Sequence, residues 1–262
     1  MQRLKQWVAG QIVLLLSLAI TACQPETGRP EAAQPQVVNA HHYNRFWLWG
    51  NISPAPYLRN NIHKPNSTDW HSTTELYVLQ GEIGFSRILQ KPGLTPQGMG
   101  LTTIKPAKIW LVYRTTTLQW TPAFMQQIVG RLQSWKNYNN QVVGLQIDFD
   151  SATGQLKPYT EFLQRIRQQL PTDYQLSATG LLDWINADKT SLASLHNTVD
   201  EVVIQTYQGR HTITNYQAYL PALSHLKMPF KIGLVQHGQW LANSAIEKNP
   251  YFKGYVVFLL RQ

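Results

Sequence analysis

Apolar positions along this chain follow two rhythms. Short runs rich in β-branched and aromatic residues, alternating with a period of two, fall at 45–49, 76–80, 108–114, 142–148, 175–180, 201–207, 230–236 and 255–260, and they predict eight strands. Three of the intervening stretches change to helical spacing. Thr121-Pro122 is a cap followed by proline at the first helical position, and Phe124, Ile128, Leu132 and Trp135 then share one face. Leu156, Tyr159, Phe162, Leu163, Ile166 and Leu170 mark a second helix, which Pro171 stops. Tyr216, Tyr219, Leu220, Leu223 and Leu226 mark a third, ending before Pro229.

Strand, helix, strand in this succession means right-handed parallel crossovers. The class is α/β, and eight strands within residues 41–262 predict a small (β/α)8 TIM-like barrel. A doubly wound open sheet would announce a Gly-rich phosphate loop after its first strand, and the chain has none. Two places depart from the regular pattern. Residues 83–106, between the second and third strands, hold Gly84, Pro92, Gly93, Pro96, Gly98 and Gly100 without helical spacing. The chain also stops right after the eighth strand, with no closing helix.

The fourth strand carries the most information. In Val142-Val-Gly-Leu-Gln-Ile-Asp-Phe-Asp150 alternation places Gly144, Gln146, Asp148 and Asp150 on one face and Val143, Leu145, Ile147 and Phe149 on the other. An apolar outer face against helices and an inner face ending in acid is the pattern of a barrel strand rising into an active-site mouth.

The N-terminus modifies the picture. Met1-Gln-Arg-Leu-Lys5 is basic and residues 11–20 are apolar but too short to span a bilayer comfortably, so residues 1–22 read as a secretory signal. Ile20-Thr-Ala-Cys23 resembles the bacterial lipobox, which implies lipidation of Cys23 and attachment to a membrane of the cell envelope; Gln24 at the next position tilts the expectation toward the outer membrane. Cys23 is the only cysteine, so stability rests on an ordinary core rather than disulfides. Residues 23–40, rich in Pro, Gln and Glu, read as a tether.

Formal net charge is +9, of which Arg3 and Lys5 contribute two. The basic residues are scattered, no nucleic-acid motif occurs, and attraction to anionic lipid or an acidic envelope polymer is the better use for such charge. His41-His42 has no partner at ligand spacing, so neither metal nor cofactor is expected. No Gly-x-Ser-x-Gly elbow occurs.

In a barrel the site lies at the C-terminal ends of the strands. Collected there are Trp47 and Trp49 from the first strand, Glu82 and Arg114 from the second and third, and Gln146, Asp148 and Asp150 from the fourth. The fifth gives Asp183 and Trp184, the sixth Gln205 and Tyr207, the seventh Gln236, His237 and Trp240. Carboxylates, amides and aromatics in one mouth suit a carbohydrate, whose hydroxyls need polar partners and whose ring faces stack on aromatic side chains. Asp148 and Asp150 lie roughly 7 Å apart at the backbone, close enough for one to raise the pKa of the other toward a general acid's range. Expected roles are Asp150 as general acid, Asp148 as stabiliser or base, and Tyr207, Gln205 and Gln146 as positioning groups.

Gly144-Leu-Gln-Ile-Asp-Phe-Asp150 resembles the fourth-strand signature of the family 18 chitinases, Asp-Gly-x-Asp-x-Asp-x-Glu, and Gln205-Thr-Tyr-Gln208 resembles their sixth-strand Met-Ser/Thr-Tyr-Asp. The resemblance implies that Asp148 orients an acetamido group, Tyr207 assists it and Asp150 stands where the glutamate acid does. Val143, Gln146 and Gln208 replace three aspartates of that pattern. A closer resemblance, carried by Tyr77-Val-Leu-Gln-Gly-Glu82, Gln146-Ile-Asp-Phe-Asp-Ser-Ala-Thr153, Leu176-Ser-Ala-Thr-Gly-Leu-Leu-Asp-Trp184, Gln205-Thr-Tyr207 and Lys231-Ile-Gly-Leu-Val-Gln-His-Gly-Gln-Trp240, is to the bacterial domain-of-unknown-function 3142 family, which implies a TIM-barrel glycosidase-like domain. The expectation is therefore an envelope lipoprotein that binds and hydrolyses a glycan. Its competitors are a glycan-binding pseudoenzyme on the same fold and a structural envelope lipoprotein, which would show a large exposed apolar patch.

Overall fold

The computed structural model describes residues 34–50, 52, 53, 56, 73–88, 90–105 and 107–260. The expected signal peptide and Cys23 lie outside these residues. Eight parallel strands close into a barrel: β1 (Arg45–Leu48), β2 (Glu75–Ser86), β3 (Lys108–Thr115), β4 (Gln141–Asp148), β5 (Gln175–Leu181), β6 (Glu201–Gln205), β7 (Phe230–Val235) and β8 (Phe252–Phe258). Each pairs with its sequence neighbour, and β1 closes the ring by pairing with both β2, at Phe46↔Leu76, and β8, at Val257↔Phe46. All eight expected strands are present.

The helices divide less evenly. α1 (Pro122–Asn137) starts on Pro122 after Thr121 and buries Phe124, Met125, Ile128, Leu132 and Trp135. α2 (Leu156–Gln169) buries Leu156, Tyr159, Phe162, Leu163 and Ile166. Between β5 and β6 lies α3 (Lys189–His196), capped by Asp188, whose carboxylate accepts the Ser191 N–H; the sequence reading had no helix there. The expected long third helix is instead a 3-10 turn, Tyr216–Tyr219, followed by one α-turn, Leu220–Leu223. Pro221 is the cause, since a proline is tolerated only in the first turn of a helix and so forces a new start there. Residues 91–96 form no crossover helix but an arm antiparallel to β2, which accounts for the irregular composition of that stretch. Among the described residues no helix is long and apolar enough to cross a membrane.

Two details depart from simple alternation. A bulge between β3 and β4 sets Ile109 against Val142 but Trp110 against Gly144, so Val143 turns inward to the cluster of Trp47, Tyr77, Trp110, Val112, Val203 and Val256, while Leu145 and Ile147 keep their expected outward packing. Residues 36–40 also pack on the barrel. Gln36–Val37 pairs antiparallel with Gln239–Trp240, the Val38 N–H donates to Gly238 O at 2.8 Å, and Val38 and Ala40 are buried. A two-residue strand is too short to register in the composition of residues 23–40.

The lower half of the barrel interior is polar. Lys231 Nζ donates to Glu75 Oε2, Glu201 Oε2 and the Tyr77 hydroxyl, each at 2.7 Å. Tyr77 donates to Glu201 Oε1 at 2.6 Å and the Trp110 indole to Glu75 Oε1 at 2.7 Å. Arg45 adds a bond to Glu75 at 3.1 Å, leaving two cations against two carboxylates. Burial pushes the Glu75 carboxyl up, but the Lys231 charge, bonds from Lys231 and Trp110, and the Arg45 charge outweigh it, so its pKa lies below the ordinary value. Because these residues begin their strands, they sit at the end of the barrel that serves stability rather than chemistry.

Candidate active site

At the other end, the strand termini enclose a cavity of about 620 Å³. Its floor is Asp148, the last residue of β4, which is 5% exposed. The Thr179 hydroxyl on β5 donates to Asp148 Oδ1 at 2.9 Å, and the Gln205 amide on β6 donates to the same oxygen at 3.3 Å. Burial pushes the Asp148 carboxyl up; the Thr179 bond opposes this, the Asp150 charge adds to it, and the Arg114 charge and Gln205 bond oppose it, with a net pKa of about 6.

Asp150 lies one turn of the pleat higher, its side chain 65% exposed and 3.8 Å from the Arg114 guanidinium. Arg114, the last residue but one of β3, is in register with Asp148 and lies over the Trp49 ring, 5.4 Å from its centroid. Tyr207 packs against Phe258 at 5.6 Å and edge-on to Trp47 at 6.4 Å. Its hydroxyl is held far above the ordinary range, first by burial and then by the Asp148 and Asp150 charges, so it stays protonated and able to donate. Asp183 completes the polar set: its Oδ2 accepts from the Thr153 N–H at 3.0 Å and hydroxyl at 2.8 Å, while its buried Oδ1 has no hydrogen-bond partner.

The cavity thus unites Trp49, Arg114, Asp148, Asp150, Asp183, Gln205 and Tyr207. Residues 114–246 match the family model described as Domain of unknown function (DUF3142). The chain belongs to the DUF3142 family. A comparison with curated proteins finds no match. Among solved structures, this DUF3142 chain is similar to the spore cortex-lytic enzyme SleL of Bacillus cereus, with 20% identity and a TM-score of 0.35 over 49% of this chain and 36% of that one. It is also similar to an agarase, with 13% identity and a TM-score of 0.35 over 58% and 37%. Each alignment spans little more than a third of the other protein's chain.

Seven residues collected at the mouth from the sequence lie outside the cavity of this DUF3142 domain, beginning with Trp47, which is buried in the barrel interior. Gln146 points inward but one layer too low, accepting from the Trp47 indole at 2.6 Å and donating to the Ser177 hydroxyl at 2.9 Å. The Trp184 ring is buried against Gly180, where a Cβ would come within 2.8 Å of it, and its N–H donates to Ser151 O at 2.6 Å. Glu82 pairs in register with Arg114, yet its carboxylate accepts from Gln97, just past the antiparallel arm, at 3.1 Å. Gln236, His237 and Trp240 are displaced together. The Gly238 N–H donates to Val235 O, turning the chain back as soon as β7 ends. Gln236 is consequently buried against the Leu260 N–H, His237 is exposed at φ +64, and Trp240 stacks on Tyr216 with centroids 4.8 Å apart.

The cavity also holds residues that pattern reading passed over, among them Leu181, Leu182, Arg210, Ile213, Tyr219 and Phe258. Arg210 was legible in principle. Tyr207–Gln208 pairs antiparallel with His211–Thr212, and Gly209-Arg210 between them, with Gly209 at φ +59, is the two-residue turn that a glycine there announces.

Proposed function

We propose that this domain binds a glycan in the mouth of the barrel and hydrolyses it. The observation that carries the reading is Asp148: a buried carboxyl with a pKa of about 6, facing a cavity whose walls are Trp49, Tyr207, Tyr219 and Phe258 and which also holds the exposed Asp150. Aromatic walls suit sugar ring faces, and two carboxyls with different environments suit acid and base work.

The environments exchange the roles expected from sequence. Asp148, its pKa raised to about 6, is the carboxyl suited to carry a proton in mildly acid solution, through Oδ2, since Oδ1 accepts the Thr179 and Gln205 bonds. It gives that proton to the departing glycosidic oxygen. Asp150, beside Arg114, supplies the carboxylate that stabilises charge on the sugar ring and takes a proton from the attacking water. Tyr207 donates to the bound sugar.

Export and lipid attachment through Cys23 form part of the same reading and are supported by the basic start, apolar run and small residues before that cysteine. A panel of envelope glycans assayed for new reducing ends tests the catalytic claim. Asp148→Asn and Asp150→Asn should each lower turnover by about 10²-fold or more; full activity in Asp148→Asn overturns it. One observation favours a second reading, a binding protein without turnover. Asp150 is a short carboxylate, well exposed and only loosely paired, and that reading predicts saturable glycan binding with no new reducing ends.

A further inference from the structure

Five charged side chains line the cavity, and four have partners within the protein. Asp148 accepts from Thr179 and Gln205, Asp183 accepts from Thr153, and Asp150 and Arg114 face each other, with Arg114 also lying over Trp49. Arg210 is the fifth. Among the described residues it has neither an ion pair nor a side-chain hydrogen bond.

Its position is not that of a loose surface arginine. It occupies the turn of the hairpin formed by Tyr207–Gln208 and His211–Thr212. The base of that hairpin is pinned twice, by the Ile213 N–H donating to Thr206 O at 2.9 Å and by the Gln239 N–H donating to the Thr212 hydroxyl at 2.9 Å. A short, doubly fastened arm therefore presents an unpaired guanidinium at the rim of a cavity whose other guanidinium lies 3.8 Å from Asp150 and over the Trp49 ring. A guanidinium offers a planar fork of donors that matches carboxylate and phosphate oxygens in pairs, and a chain with net charge +9 draws polyanions toward it.

We propose that Arg210 makes this site selective for glycans bearing an anionic substituent, a carboxylate or a phosphate, which it holds at the cavity rim. The inference rests on the glycan reading above and deepens it by naming the substrate class.

The test uses the full chain in detergent solution and two matched pairs of ligands: a hyaluronan hexasaccharide with its carboxyl-reduced counterpart, and a phosphorylated mannan oligosaccharide with its dephosphorylated counterpart. Equilibrium binding should favour at least one charged member over its neutral partner by about tenfold, with the preference shrinking as salt is raised. Arg210→Gln should abolish that ratio and Arg210→Lys should keep part of it. Which pair shows the preference identifies carboxylate or phosphate as the recognised group. Equal affinity within both pairs, or a preference that survives Arg210→Gln, overturns the selectivity while leaving glycan binding in place. If the wild-type chain binds none of the four, the glycan reading itself fails, and the selectivity with it.

Discussion

The Thr179 hydroxyl donates to Asp148 Oδ1 at 2.9 Å across the β4–β5 seam, while accepting the Phe149 N–H at 3.2 Å. This one hydroxyl therefore ties the buried Asp148 carboxyl to the strand beside it and favours its ionised form. Thr179→Val removes the bond while keeping the branched shape, and should raise the Asp148 pKa above its present value of about 6 by about one pH unit. Carbon-13 NMR of the side-chain carboxyls across pH reads this directly; an unmoved titration would show that Thr179 has no hold on Asp148.

The same carboxyl makes stability depend on pH in a defined direction. Its folded pKa of about 6 lies above the ordinary 3.8, so its contribution is present in full below pH 3.8 and is lost as pH rises through 6. Asp148→Asn, which cannot ionise, should then be more stable than wild type at pH 8, by up to about 3 kcal/mol, with the advantage gone near pH 3. Denaturant titrations at the two pH values measure it. A variant less stable at both would mean that burial does not dominate this site.

Trp184 lies outside the cavity yet fixes its wall. Its indole N–H donates to Ser151 O, one residue beyond Asp150, and the neighbouring Asp183 holds Thr153. Trp184→Phe leaves the Ser151 carbonyl without its buried donor and should cost about 1–3 kcal/mol. Because the Asp150 loop loses its tie, affinity for a bound glycan should fall while the Asp148 titration stays near its wild-type position. Comparing calorimetric binding with the NMR titration separates this from general damage, which would disturb both.

At the opposite end of the barrel, Lys231 bridges Glu75 and Glu201 at 2.7 Å each. Lys231→Met leaves two carboxylates facing each other without their shared cation and should cost about 3–5 kcal/mol. Adding Glu75→Gln and Glu201→Gln to that variant should recover a good part of the loss. Equilibrium unfolding in urea tests both; a loss below about 1 kcal/mol would imply that water reaches and screens the group.

The strand ends that line the cavity were legible because a barrel strand must alternate, and alternation delivers Asp148 from β4, Arg114 from β3 and Gln205 from β6 to one mouth. The misplaced residues share a cause: each depends on where a strand stops being a strand. Gln236, His237 and Trp240 continue β7 in the sequence, but the turn closed by Gly238 and Val235 carries them away. Gln146 has the correct parity and the wrong height, because the level of each residue is set by register against its neighbours, here Val112 and Ser177.

Local pattern by itself determined the eight strands, the two long helices, the irregular link after the second strand and the acid-bearing end of the fourth, because all of these follow from side-chain periodicity within a few residues. Tertiary structure alone decided that Asp148 is the buried carboxyl and Asp150 the exposed one, that Trp184 braces rather than lines the cavity, and that Arg210 stands unpaired at its rim. Those outcomes depend on burial and on distances between strands far apart in sequence, and desolvation and hydrogen bonding act through space rather than along the chain.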